Sequence, residues 1–244
     1  MQADWITTET VDLTGPVGPQ LLAALRAAII RNQLSPGARI SEAEIGARFG
    51  LSRQPVREAF IKLAEEGLLE VRPQRGTFVR KVSMEAVLDA RFVREAVEAD
   101  IVKLCAVEAP VSLIATLREQ IEAQRKVARS DDPQARSDGF VPLDDLFHRS
   151  LAEGAGRANA WAVVDGMKSQ MDRVRQLAVA ATDLGPLIAQ HQAVVDAIEA
   201  RDPEKAEKAM RGHLQMILTD LPAIRAAFPQ YFEGSTMGGA NEPR

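Results

Sequence analysis

LSRQPVREAFIKLAEEG, residues 51–67, decides how the rest of the chain is read. Ser52 stands at an N-cap position, its hydroxyl able to accept from the first free backbone N–H groups, and Pro55 falls within the first turn, where a missing N–H costs little. Val56, Phe60 and Leu63 recur at helical spacing and predict one buried face. Away from that face Ser52, Arg53, Gln54 and Arg57 crowd the N-terminal end, where a recognition helix offers side chains to base edges and phosphates. Cationic residues on an amphipathic helix are usually only a solvated face, so the neighbouring sequence has to choose.

Upstream, Ser41 to Phe49 predicts a shorter helix, with Glu44 three residues after Ser41 as in a capping box and Gly50 as its end. Two short helices joined at a glycine, the second rich in arginine at its start, form a helix-turn-helix pattern. Downstream, Leu69 to Arg72 and Thr77 to Arg80 read as short strands around the turn Pro73-Gln74-Arg75-Gly76. This is the pattern of a wing, whose tip would bring Arg75, Gly76 and Thr77 to the duplex. Val17 to Gln33 predicts a first helix with an apolar stripe of Leu21, Leu22, Leu25, Ile29 and Ile30, and Arg39 sits where the chain turns back, well placed for a phosphate.

The chain of 244 residues is long enough for two domains, and its net charge of −4 hides an asymmetry. Residues 16–81 carry eleven Lys/Arg against six Asp/Glu, whereas residues 82–244 carry nineteen against twenty-five. A basic nucleic-acid-reading module joined to an acidic domain with another task fits that division. No run is long enough to span a bilayer and no apolar leader is visible, so a cytoplasmic protein without a membrane partner is expected. The single Cys105 excludes a disulfide framework and predicts a buried small hydrophobe.

Residues 1–15 read as a mobile arm, 16–81 as the winged helix-turn-helix, 82–233 as an all-helical domain of six or so helices, and 234–244 as a flexible tail. The expected fold is thus mainly α. The first helix of the second domain, from Ser83 to about Glu108, buries Val87, Ala90, Val93, Val97, Ile101, Leu104 and Cys105, and Arg94 falls inside that stripe with Arg91 and Glu98 at its border. A core-facing guanidinium must be paired, either by Glu98 or by an anionic ligand. Arg175, on the inner side of one helix carrying Trp161, Val164, Met171 and Val174, is a second candidate for the same ligand.

The chain has three histidines, and each lies on an apolar stripe: His148 with Phe147 and Leu151, His191 with Val194 and Ile198, His213 with Met210 and Ile217. Asp144, four residues before His148, shares its face. Three imidazoles and a carboxylate from three helices can converge on a divalent cation, or each histidine can be an ordinary core residue. Pattern leaves both open.

Two rival functional classes meet these residues poorly. A metal-dependent hydrolase-like enzyme fused to a DNA-binding domain would use open metal positions, yet no nucleophile motif, phosphate loop or cofactor fingerprint accompanies them. A plain interaction module predicts a dry apolar bundle, with which Arg94 sits badly.

LSPGARISEAEIGARFGLSRQPVREAFIKLAEEGLLEVRPQRGTFV, residues 34–79, resembles the signature of the GntR family of bacterial transcription regulators, in its FadR-type branch with an FCD effector domain. The segments DDLFHRSL (144–151), QHQAVVDAIEARD (190–202) and AMRGHL (209–214) resemble the places where that family keeps metal ligands. The resemblance implies a divalent metal at Asp144, His148, His191 and His213, zinc first, with nickel or manganese as alternatives. It also implies a homodimer on an operator inverted repeat, acting as a repressor, and a small carboxylate or sugar acid as effector near Arg94. Gly46 stands where alanine is usual, and Arg157 stands where many members keep asparagine.

Overall fold

The structure, a computed structural model, describes residue 12 and residues 15–108 and 110–234. Most of the arm expected over residues 1–15 and of the tail expected over 234–244 lies outside them. The chain folds as two compact units, one holding residues up to 84 together with those from 223 onward, the other residues 85–222.

In the first unit α1 (Val17–Ile30) buries Leu21, Leu25 and Ile29 and packs on the helix that starts at Arg53. It stops short of the expected Gln33, because Asn32 adopts a left-handed φ of 58°. A two-residue strand β1 (Arg39–Ile40) leads to α2 (Glu42–Phe49), where Ser41 accepts from the Glu44 N–H at 3.4 Å and Gly50 closes the helix at φ 64°. Next comes α3 (Arg53–Glu65), whose buried face is Val56, Ala59, Phe60 and Leu63.

Ser52 does occupy the N-cap of α3, in extended conformation, but its side chain makes no capping hydrogen bond. The reason lies three residues on. An N-cap oxygen normally bonds the second or third helical N–H, and Pro55 in the third position has none.

The wing is β2 (Leu69–Arg72) and β3 (Gly76–Val79), antiparallel, with Arg72 opposite Gly76 and Leu69 opposite Val79. The second strand therefore begins at Gly76, one residue before the expected Thr77. β1 pairs with the far edge of β3, giving the order β1-β3-β2. A strand of two residues is too short to show alternation in sequence.

The second unit is all-helical: α4 (Met84–Glu108), α5 (Val111–Ala128), α6 (Pro133–Gly154), α7 (Ala158–Met167), α8 (Ser169–Ala181), α9 (Gly185–Glu199) and α10 (Pro203–Ala227). Asp132 caps α6 by accepting from the Gln134 and Ala135 N–H groups. The single helix expected to carry both Trp161 and Met171 is two, broken at Lys168, whose φ of −89° and ψ of 2° leave the helical region. Apolar periodicity runs on across this break, which is why the sequence does not display it. The core gathers Leu117, Ile121, Phe140, Phe147, Leu151 and Val194. Cys105 is buried there, its thiol against the Leu151 carbonyl at 3.3 Å, and burial pushes its pKa up to about 12.

The end of α10 leaves this unit. From Ala223 onward the chain groups with the first unit, where the Val82 N–H donates to the Tyr231 carbonyl (2.8 Å) and the Glu233 N–H to the Val82 carbonyl (3.0 Å), with Phe232 fully buried. The boundary read from sequence, 82–233, does not show this return of the C-terminal segment.

Candidate metal centre and nucleic-acid interface

Within the helical unit, α6 carries Asp144 and His148 one turn apart, α9 carries His191, and α10 carries His213. All four side chains are buried, and one ligand-type atom from each falls within 4.8 Å of the others. His148 Nε2 lies 3.2 Å from His213 Nε2 and 3.8 Å from Asp144 Oδ2, and His191 Nε2 lies 3.2 Å from Asp144 Oδ1. Two imidazole nitrogens in such proximity either share one proton in a hydrogen bond or meet a common cation.

Each ring has a side-chain oxygen facing its other nitrogen. Gln124 donates its amide to the Leu143 carbonyl, so its Oε1 accepts from His191 Nδ1 at 2.8 Å. Gln190 Oε1 faces His213 Nδ1 at 3.2 Å, and Glu98 Oε2 faces His148 Nδ1 at 2.5 Å. Partners of this type hold the proton on Nδ1 and leave the Nε2 lone pair for a metal. Burial lowers the pKa of His191, and burial with the neighbouring His191 and His148 lowers that of His213 further, so both are neutral near pH ~7. Burial alone would raise Asp144, but the adjoining Arg175 guanidinium and the nearby His191 ring hold it well below the ordinary carboxylate range.

His191 Nε2 and Asp144 Oδ1 are buried without a hydrogen-bond partner. Orphaned buried polar atoms of this kind are costly unless an ion meets them. Three imidazole nitrogens and one carboxylate fit a divalent cation of borderline softness.

The apolar pattern of α4 puts Glu98 at the edge of the stripe, whereas the structure puts it in the centre, 2 % exposed. One carboxylate oxygen accepts from Arg94 Nε at 2.6 Å while the other faces His148. Burial would raise its pKa, yet Arg94 and His148 bring it down to about 2. Arg94 is thus paired by Glu98 on one side, while its Nη2 remains buried with no partner. A cavity of about 210 Å³ adjoins it, lined among others by Arg94, Asp144, Arg175 and His213. Arg175 lines the same space, but its guanidinium is already engaged by Asp144, Asp145 and Asp172. Its evident task here is to orient Asp144, leaving Arg94 as the freer cation.

Sequence reasoning missed the orienting residues. Gln124 lies on the buried stripe of α5 with Leu117, Gln120 and Ile121, so the logic that found Arg94 could have found it. Gln190 lies beside the apolar stripe of α9 and has no such signal. Arg157 is exposed at the start of α7 and makes no capping bond.

On the first unit Ser52, Arg53, Gln54 and Arg57 are all exposed along the N-terminal part of α3, with Gln54 donating to Glu58 at 2.8 Å. Arg75 is exposed at the wing tip, while Gly76 and Thr77 are half-buried. Gly76 has φ 107°, a conformation that L side chains rarely adopt, and a Cβ there would fall 2.9 Å from Arg39 Nε. The exposed Arg39 side chain thus lies against Gly76 at the tip end of the wing, so β1 and the wing present their cations together.

Comparison with known proteins adds the following. Residues 19–79 match the gntR family of bacterial regulatory proteins, and residues 89–216 match the FCD domain. The chain is 37 % identical over 231 residues to the HTH-type transcriptional repressor RspR of Escherichia coli, covering 93 % of this chain and 99 % of that protein. It is 33 % identical to a probable D-xylose utilization operon transcriptional repressor of Paenarthrobacter nicotinovorans, covering 78 % and 82 %. Among solved structures, E. coli McbR/YncC superposes with a TM-score of 0.71 at 18 % identity, covering 88 % of this chain and 99 % of that one. A GntR transcriptional regulator from Rhodococcus sp. RHA1 superposes with a TM-score of 0.65 at 26 % identity, covering 84 % and 97 %.

Proposed function

Because this chain belongs to the gntR family of bacterial regulatory proteins and carries an FCD domain, a transcriptional regulator and not an enzyme, we propose that it is a metal-containing, ligand-responsive repressor. It binds an operator inverted repeat as a homodimer, since a two-fold protein reads a two-fold site. Arg53, Gln54 and Arg57 enter the major groove, Ser52 and Arg39 meet phosphates, and Arg75, Gly76 and Thr77 approach the adjacent minor groove. The effector is a small carboxylate or sugar acid.

The observation that carries this reading is the cavity shared by Arg94, which has an unpartnered nitrogen, and by Asp144 and His213, two of the cluster that His148 and His191 complete. Those four residues would hold the cation, zinc before nickel or manganese. When bound it supplies a Lewis-acid position for a hard oxygen donor. The chain's own residues do the rest. Glu98, Gln124 and Gln190 orient the imidazoles, Arg175 orients Asp144, and Arg94 offers charge-assisted hydrogen bonds to the anion. The named repressors among the relatives support repression as the direction of control.

Metal analysis of untagged protein is the direct test, with one divalent ion per chain expected. The double variant His191→Ala, His213→Ala should lose it, and retention would leave only core histidines. A gel-shift titration with the native operator should show release by the effector acid, and Arg94→Ala should remove that release while DNA binding persists.

A further inference from the structure

We infer that the effector is a monocarboxylate with an apolar tail of about five or six carbons, and not a polyhydroxylated sugar acid. The inference rests on the effector reading above and concerns the rest of the same cavity. Beside the charged residues and His213 the wall includes Phe140, Met171, Val179, Leu187, Leu214 and Ile217. A sugar acid needs a neutral donor or acceptor for each hydroxyl it buries. Among the described residues the lining contains no asparagine, glutamine, serine or tyrosine, and its one hydroxyl, Thr182, is exposed and donates to the Ala178 carbonyl at 2.8 Å.

The charged groups leave equally little for hydroxyls. Arg175 is held by three carboxylates, and Arg91 meets Glu95 through one nitrogen only, its Nε being buried without a partner. Asp183 and Asp220, exposed and half-exposed, would repel a second carboxylate at the far end of a ligand. What remains are two buried guanidinium nitrogens, Arg94 Nη2 and Arg91 Nε, enough for the two oxygens of one carboxylate, and an apolar wall beside them. The volume of about 210 Å³ exceeds the ~150 Å³ at which a dry apolar cavity accepts a benzene-sized guest, so a carboxylate with a short tail has room.

The test is calorimetric titration of the full-length protein, supplied with zinc, using acetate, butanoate, hexanoate, octanoate and gluconate. Each methylene placed against that wall should tighten binding about threefold to fourfold up to hexanoate, with the gain levelling by octanoate. Gluconate should bind at least about tenfold more weakly than hexanoate, because its hydroxyls lose water without finding partners. Ile217→Thr should weaken hexanoate more than acetate; should that variant fail to fold, the series on the native protein still decides.

Gluconate binding tighter than hexanoate, or an alkanoate series flat with length, would overturn the inference. If in that case Arg94→Ala abolishes the gluconate response, the effector site stands and only the apolar tail is lost. Binding of none of these acids at up to millimolar concentration would sink both the tail and the acid-effector reading.

Discussion

At the level of single residues, Glu98 joins the two halves of the proposed effector site, with one oxygen on Arg94 and the other on His148. Removing it leaves a buried guanidinium unpaired, so Glu98→Ala should destabilise the helical unit by about 3 to 5 kcal/mol in denaturant unfolding. Glu98→Gln should cost less, because the amide oxygen can still accept from one neighbour. A destabilisation of Glu98→Ala below about 1 kcal/mol would mean that Arg94 finds another partner or reaches water. Arg57, exposed on α3, belongs to the other surface. Arg57→Ala should cost about 1 to 3 kcal/mol of operator affinity and relax specificity at one base position, if the side chain pairs bidentately with a base. Equal weakening on every DNA sequence would demote it to a phosphate contact.

At the level of elements, the two serines that precede the helix-turn-helix helices have different tasks despite similar sequence contexts. Ser41 accepts from Glu44 N–H, so Ser41→Ala should lower stability by about 0.5 to 2 kcal/mol. Ser52 faces a proline where that N–H would be, and its hydroxyl makes no cap bond. Ser52→Ala should therefore leave the thermal midpoint nearly unchanged, within about 0.5 kcal/mol, while reducing affinity for DNA. A stability loss at Ser52 as large as that at Ser41 would show a cap that the fold does not display. The wing has its own constraint at Gly76. Its φ of 107° makes Gly76→Ala strained by about 1 to 3 kcal/mol, and the added Cβ also displaces Arg39.

At the level of the whole molecule, the proposed metal centre ties α6, α9 and α10 together by side chains that are otherwise poorly matched for burial. A chelator should lower the unfolding temperature and make it depend on added metal. The metal-free protein should also be acid-sensitive, with the following sign. His191 and His213 have native pKa values below the ordinary value of 6.5, so between the two values the unfolded chain binds protons that the native chain does not. Stability is therefore present above about pH 6.5 and is lost as pH falls below it. A thermal midpoint that stays flat from pH ~7.5 to ~5.5 in chelator would argue against neutral buried imidazoles. The C-terminal return supplies a further check, because Phe232 is fully buried in the unit that holds the winged helix. Phe232→Ala should cost that unit about 3 to 5 kcal/mol, although it lies about 150 residues from the wing in sequence.

Much of this was legible in the chain itself. Local chemistry determined the helix-turn-helix: a capping serine, a left-handed glycine and apolar residues at helical spacing each act within a few residues of one another. The same stripe logic put Arg94, Asp144, His148, His191 and His213 on inward faces, since facing is a property of one helix. It could not determine distance or partnership between helices. The position of Glu98 shows the limit, because a residue at the border of a stripe is buried or exposed according to what packs against it, and that is α6. So do the break at Lys168, over which apolar spacing continues, and β1, whose two residues become a strand only when β3 lies alongside. Gln124 and Gln190 acquire their roles from rings 67 and 23 residues away, and Phe232 from a strand-like contact with Val82. Contacts of that separation are decided by tertiary packing, where the side chains of different elements compete for the same buried space.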